Sequence, residues 1–286
     1  MNKKIKILVT GANGQLGSEF KEIAKNNINE FVFTDVDEID IIDYNLLEKS
    51  ILLIKPDIII NCAAYTNVDK AEDEMYLAYL INADAINNIA KLSFENNIKL
   101  IHISTDYVYD GISCNPYKET DLTNPISIYG KTKLKGEREM ILSCCNGIII
   151  RTSWLYSKFG NNFMKTILNH ANKKSTLNVV FDQIGTPTYA ADLAKSIVDI
   201  IPSLKDIKDV EIFNYSNEGV CSWYDFATEI VQIANLNCKI IPILSEEYPT
   251  KAQRPFYSVL DKAKIKHAFN INIPHWRNSL QKCMSK

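Results

Sequence analysis

Short apolar runs alternate along the chain with longer stretches whose apolar residues recur every three or four positions. "KIKILVTG" (4–11) reads as a buried strand closed by glycine, and "GQLGSEFKEIAKNN" (14–27) as a helix that ends in polar turn residues. "EFVFTD" (30–35) is a second strand, followed by helical spacing in "YNLLEKSILLIK" (44–55). Pro56 then opens "PDIIINCAA" (56–64) as a third strand, and a long helix is expected over 71–97. "IKLIHIST" (98–105) is a fourth strand, 127–143 a helix, and "GIIIRTSWLY" (147–156) a fifth strand.

Continuously apolar strands separated by helices predict an α/β fold: a Rossmann-like, doubly wound parallel sheet with helices on both faces. The alternation loosens after about residue 157. Helices are expected over 160–174, 187–201 and 222–236, with extended pieces at "VEIFNYS" (210–216) and "KIIPIL" (239–244). The division expected is a first domain over 1–156 and a smaller C-terminal α+β lobe over 157–286. Some segments of that lobe should return to the first domain.

Composition narrows the classes. With 46% hydrophobic and 23% charged residues, the 286-residue chain is that of an ordinary soluble globular protein. A net charge of −2 makes no electrostatic case for nucleic acid or membrane as a partner. The basic cluster Lys131, Lys133 and Lys135 is offset by Glu137 and Glu139. Seven cysteines without a C-x-x-C pair suit reduced thiols, and the four histidines lack metal-ligand spacing, so no metal site is expected. "ILV" near the N-terminus is too short for a signal sequence, and no apolar stretch approaches the ~20 residues of a membrane span. A cytoplasmic protein is expected.

"TGANGQLG" joins the first strand to the first helix, with Gly11, Gly14 and Gly17 three apart. A turn there must reach unusual backbone angles, bring N–H groups to a pyrophosphate and let helix touch strand. Asp35 ends the second strand, 18 residues beyond Gly17, where a carboxylate can accept from the adenosine ribose hydroxyls. It would repel a 2′-phosphate, so the cofactor expected is NADH or NADPH with NADH preferred. On the helix over 127–143, Tyr129 stands four positions before Lys133. In an arbitrary helix that pair is two solvated neighbours on one face.

The G-x-x-G-x-x-G loop, Thr105 at the end of the fourth strand and Y-x-x-x-K together resemble the extended branch of the short-chain dehydrogenase/reductase superfamily. Within it, "GANGQLG", "NCAAYTNVDKAE", "INADA", "STDYVYDG", "PISIYGKTKLKGE", "RTSWLY", "FDQIGTPTYAADLA" and "RPFYSVLD" are similar to the dTDP-4-dehydrorhamnose reductase family, in order across nearly the whole chain. Cys62 replaces a more usual alanine, and Gln253 and Tyr257 stand where arginine and asparagine would be expected.

The resemblance implies reduction of the C4 ketone of a dTDP-sugar in the synthesis of a cell-surface or spore polysaccharide precursor. Tyr129 would donate the proton, Lys133 would favour the phenolate and bind the nicotinamide ribose, and Thr105 would donate to the same substrate oxygen. Gly14, Gln15 and Leu16 would contact the pyrophosphate, Asp35 the ribose, and Asp40 and Ile41 the adenine. Ala63, Ala64 and Tyr65 would line the cofactor. Trp154 and Asn162 would face the sugar nucleotide, with Arg254 on its diphosphate, and a homodimer is left open. A dehydratase is disfavoured because Tyr107 occupies the position of that enzyme's glutamate. An NAD-dependent epimerase and a non-catalytic cofactor-binding subunit are the alternatives, the latter disfavoured by the intact Thr105, Tyr129 and Lys133.

Overall fold

In the computed structural model, which describes residues 4–285, the first five strands are β1 (Lys6–Thr10), β2 (Glu30–Thr34), β3 (Ile58–Asn61), β4 (Lys99–Thr105) and β5 (Asn146–Thr152). Their connections carry α1 (Gln15–Ala24), α2 (Tyr44–Ile54), α3 (Val68–Ala71), α4 (Met75–Tyr79), α5 (Ala85–Glu95) and α6 (Ile128–Leu142). The second half runs β6 (Leu155–Tyr156), α7 (Phe163–Ala171), β7 (Thr176–Val180), β8 (Ile184–Gly185), β9 (Thr188–Tyr189) and α8 (Ala190–Ile200). It continues through β10 (Val210–Tyr215), β11 (Cys221–Ser222), α9 (Trp223–Ile233), β12 (Lys239–Ile243), α10 (Ala263–Phe269) and α11 (Trp276–Met284).

The central sheet has six parallel strands in the order β10-β5-β4-β3-β1-β2. Its apolar strands are buried on both faces because successive side chains point to opposite sides. Ile7, Val9, Ile58, Ile60, Ile101, Ile148 and Ile150 join one core with Leu16 and Phe20 of α1 and Leu193 and Ile197 of α8. Leu8, Ile59, Leu100 and Ile149 join the other, with Leu47 and Ile51 of α2 and Ile86 and Ile89 of α5.

The second half divides its residues between these cores and one of its own. α8 packs within the α1 core, and β10 pairs with β5 at the sheet edge, Ile212 opposite Ile149. A separate core holds Tyr156, Met164, Ile167, Phe226, Ile230, Trp276 and Leu280. There β7 and β12 form a parallel pair, and β7 was not foreseen from the sequence.

The helix expected over 71–97 is interrupted. After α4 the chain makes a π turn over Leu80–Asp84 before α5. Such turns cluster at functional positions. This one carries Asn82, whose Oδ1 accepts from Tyr65 N at 2.9 Å and whose Nδ2 donates to Tyr65 O and Thr132 Oγ1, each at 3.0 Å. α6 crosses so closely that a Cβ on Gly136 would lie 2.0 Å from the Asn82 carbonyl oxygen. Only glycine fits. The turn thus fastens both the loop after β3 and the helix that bears Tyr129.

Candidate active site

The sheet order sets β1 between β2 and β3, so the chain leaves the ends of β1 and β3 in opposite directions. A crevice opens at such a reversal, at the carboxyl ends of the strands. Here it is a cavity of about 1050 Å3. Gly11, at φ +64, lies so near the loop after β3 that a Cβ on it would stand 2.5 Å from Ala63 N. Gly14 caps α1 without a side-chain bond, which leaves the first N–H groups of the helix free for an anion.

Of the residues expected at the cofactor, Gly11, Gly14, Gln15, Leu16, Gly17, Asp35, Asp40, Ile41, Ala63 and Ala64 all line this cavity, as do Thr105, Tyr129, Lys133, Trp154 and Asn162. Tyr65 does not. Its hydroxyl donates to Glu74 at 2.6 Å, which draws the ring away from the crevice, while Asn82 holds its backbone. Asn162 borders the cavity with its amide engaged. Nδ2 donates to Gln15 Oε1 at 2.9 Å and Ser157 O at 2.7 Å, and Oδ1 accepts from Lys165 N as the cap of α7. It ties the glycine loop to the second lobe rather than offering a free amide to a sugar.

Tyr129 sits in the first turn of α6, below the Ser127 cap that accepts from Gly130 N. Burial pushes its phenol up to about 12, the Thr105 hydroxyl working against the shift and the charge of Asp106 with it. The phenol therefore keeps its proton at neutral pH. The expected lowering by Lys133 is not what this geometry provides. The Lys133 ammonium donates to Ile103 O at 2.7 Å and faces His102 Nε2 at 3.4 Å. Burial brings its own pKa down to about 8, with Glu137 and Cys62 opposing the shift, so it is mostly cationic at pH 7.

Asp106 and Tyr107 also line the cavity; sequence reasoning gave Asp106 no role and used Tyr107 only to disfavour a dehydratase. Asp106 Oδ1 accepts the Thr105 hydroxyl at 3.0 Å. Oδ2 is buried without a well-formed hydrogen bond, and burial lifts the carboxyl to about 6, only partly offset by Ser258 and Thr105. Tyr107 meets Tyr129 edge-on, ring centres 5.5 Å apart. An acid directly after the threonine that ends β4 was the available signal.

A second cavity, of about 860 Å3, lies in the other lobe between α7, β7 and the segment around Arg254. Phe163 and Trp223 border both cavities, and Trp154 stacks on Trp223 at 3.5 Å with its backbone at φ +46. Arg254 reaches across the lobes to Asp69 of α3, donating at 2.7 and 3.1 Å, and Asp69 also accepts from Ala252 N at 3.0 Å. Lys251 pairs with Asp73 beside it. Gln253 is exposed, and Tyr257 packs toward Tyr117.

A doubly wound sheet with a glycine loop at its reversal, and Thr105, Tyr129 and Lys133 around one crevice, defines an extended short-chain dehydrogenase/reductase. A family model described as the RmlD substrate binding domain matches residues 5–286. The chain is 39% identical to a dTDP-4-dehydrorhamnose reductase of Aggregatibacter actinomycetemcomitans, over 96% of this chain and 97% of that one. Its structure resembles that of a dTDP-4-dehydrorhamnose reductase of Clostridium acetobutylicum, 40% identical, with a TM-score of 0.94 over 98% and 99% of the two chains. It also resembles the Bacillus anthracis reductase in complex with NADP, 37% identical, with a TM-score of 0.95 over 99% of each chain. The chain belongs to the dTDP-4-dehydrorhamnose reductase family.

Asp106 carries a stability consequence. Its folded pKa, about 6, is raised above the unfolded value, so its contribution is fully present below about pH 4 and is lost as pH rises through about 6. Two units correspond to roughly 3 kcal/mol. Asp106→Asn should raise the unfolding free energy at pH 7 by about 1–3 kcal/mol, with the gain vanishing near pH 4. Urea denaturation at the two pH values measures it, and a variant less stable at pH 7 would contradict the assignment.

Proposed function

We propose that the chain reduces the C4 ketone of dTDP-4-dehydro-L-rhamnose, yielding dTDP-L-rhamnose for a cell-surface or spore polysaccharide. The observation that carries this reading is one crevice holding a protonated Tyr129 and Thr105 between the glycine loop and the second, Arg254-bordered cavity. The names of the relatives support the substrate, and the NADP bound by the Bacillus anthracis reductase supports a nicotinamide cofactor.

The residues fit such a cofactor. The Gly11–Ala63 approach leaves no room for a side chain, and the uncapped N-terminus of α1 suits a pyrophosphate. When bound, the nicotinamide supplies a hydride. As the ketone oxygen gains charge, Tyr129 donates its proton to it and Thr105 donates a second hydrogen bond. Thr105 must first turn its hydroxyl from Asp106 toward the substrate. Asp106 Oδ2 then serves as an acceptor for a sugar hydroxyl, which satisfies its unpaired oxygen. Lys133, with two partners inside the protein, keeps a third N–H for the nicotinamide ribose.

The nucleotide end belongs in the second cavity, where the Arg254 fork matches phosphate oxygens. Holding that end in one lobe orients the ketone in the other. Residues 1–156 then hold the cofactor and 157–286 the nucleotide end, with α8 and β10 serving the first domain.

Tyr129→Phe should lower kcat by ~10²–10⁴ with little change in cofactor affinity, whereas Arg254→Ala should mainly raise KM for the dTDP-sugar. Steady-state kinetics on both substrates read the split. Near-normal turnover of the phenylalanine variant would sink the proton-donor role.

We assign NADH as the preferred form. The Asp35 carboxylate is fixed by Asn13 N at 2.7 Å and Val36 N at 2.9 Å, where a 2′-phosphate would meet it. A unit charge pair ~4 Å apart is worth ~4 kcal/mol at an effective dielectric of ~20, less in the presence of solvent and salt. Wild-type kcat/KM should be higher with NADH, and Asp35→Ala should narrow the gap. A wild-type preference for NADPH would refute this.

A further inference from the structure

Polar residues of three adjacent strands stand in register: Thr10 at the end of β1 opposite Asn61 at the end of β3, and Asn61 opposite His102 in the middle of β4. Each is almost wholly buried. They continue the sheet face of Leu8, Ile59 and Leu100, so the polar row caps an apolar layer. Thr10 Oγ1 lies 2.6 Å from Asn61 Oδ1, Asn61 Nδ2 lies 3.0 Å from His102 Nδ1, and His102 Nε2 lies 3.4 Å from Lys133 Nζ. The row connects the residue before the glycine loop to the lysine of the catalytic helix.

Polar groups buried this deeply must pair donor with acceptor throughout. Lys133, as an ammonium, offers only donors, so Nε2 of His102 must accept. His102 is neutral, because burial and then the charge of Lys133 hold its pKa well below the usual histidine value. A neutral ring that accepts at Nε2 carries its proton on Nδ1. That proton needs an acceptor on Asn61, which is met when the amide turns by half a rotation. Oδ1 then accepts from the ring, and Nδ2 donates to the Thr10 hydroxyl. The turn gives up only a 3.5 Å contact from Nδ2 to Ala63 O. The opposite orientation would set an Nε2–H against the ammonium, donor against donor. The other charged or titratable groups acting on Lys133 are Cys62, from the loop after β3, and Glu137, one turn along α6.

We infer that His102 is a positioning residue for the reduction. Its Nδ1-protonated ring, braced by Asn61 and Thr10, accepts from Lys133 and aims the remaining ammonium N–H at the cofactor ribose. The Ile103 carbonyl holds the ammonium from a second side. The aim of Lys133 therefore depends on a row of side chains that themselves need not touch a ligand.

The inference rests on the ribose role proposed for Lys133, but its first test does not. Nitrogen-15 NMR of the cofactor-free wild type at pH 6.5, with His102 assigned by comparison with His102→Gln, should find the Nδ1–H tautomer. The Nε2–H tautomer, or a doubly protonated ring, would overturn it. In the second test, NADH dissociation constants are read by fluorescence without turnover. His102→Leu should weaken NADH binding about tenfold, the worth of one hydrogen bond to a charged group. His102→Gln, whose side-chain oxygen can accept, should stay within about threefold of wild type. A folded leucine variant that binds NADH as tightly as wild type, or no rescue by glutamine, would overturn the positioning role. Should the leucine variant not fold, the tautomer in the wild type decides. A wild type that shows the Nδ1–H tautomer but oxidises no NADH with the dTDP-sugar would instead count against the proposed reaction.

Discussion

The placement of α6 is the constraint on which the crevice depends, and a buried carboxylate sets it. Glu137 accepts from Ser104 Oγ at 2.5 Å and from Arg151 at 2.6 Å, with both charged side chains nearly inaccessible. Ser104 is the neighbour of Thr105 on β4, and Arg151 lies on β5. One side chain thus fixes the helix against two strands of the sheet. Tyr129 and Lys133 stand two turns and one turn before it. Arg151 also donates to Tyr109 at 2.8 Å, which extends the bracing to the loop after β4. A buried pair of this kind adds little net stability, but removing one partner typically costs ~3–5 kcal/mol because the other charge is stranded. Its value here is geometric.

A second constraint joins the lobes. The side chains proposed to be catalytic come from β4 and α6, whereas the second cavity is walled by α7 and β7 and bordered by Arg254. Trp154, Trp223 and Phe163 form a continuous aromatic wall between the two, and Arg254 bonded to Asp69 closes one side. A ligand phosphate would compete with Asp69 for the same guanidinium. With Arg254 as the proposed anchor and Tyr129 as the proposed donor, the two groups stand in different lobes, which is what orientation of a ketone would require.

Much of this was legible locally. The five strands, the glycine loop and the Tyr129–Lys133 pair are patterns within one element or one turn, and the family resemblance carried most of the cleft-lining residues. What escaped was set by contacts distant in sequence. The π turn at Leu80–Asp84 exists because Asn82 must reach Tyr65 and Thr132. Tyr65 leaves the crevice for Glu74, and Lys133 turns to Ile103 and His102. "VEIFNYS", which reads as an isolated extended piece, becomes the edge strand of the main sheet because β5 offers it an open edge. Asp106 stayed hidden because an acid after a strand is ordinarily solvated, and only the fold shows it buried with an unsatisfied oxygen.

The central claim is that a hydride carried into the crevice ends on C4 of the sugar, beside Tyr129. It is tested most directly by incubating the purified protein with dTDP-4-dehydro-L-rhamnose and NADH deuterated at the transferable position, then locating the label in the product. The account predicts one deuterium at C4 of dTDP-L-rhamnose for each NADH oxidised. A product without label, formed with no net consumption of NADH, would contradict it and point to an epimerase that regenerates its cofactor within each cycle.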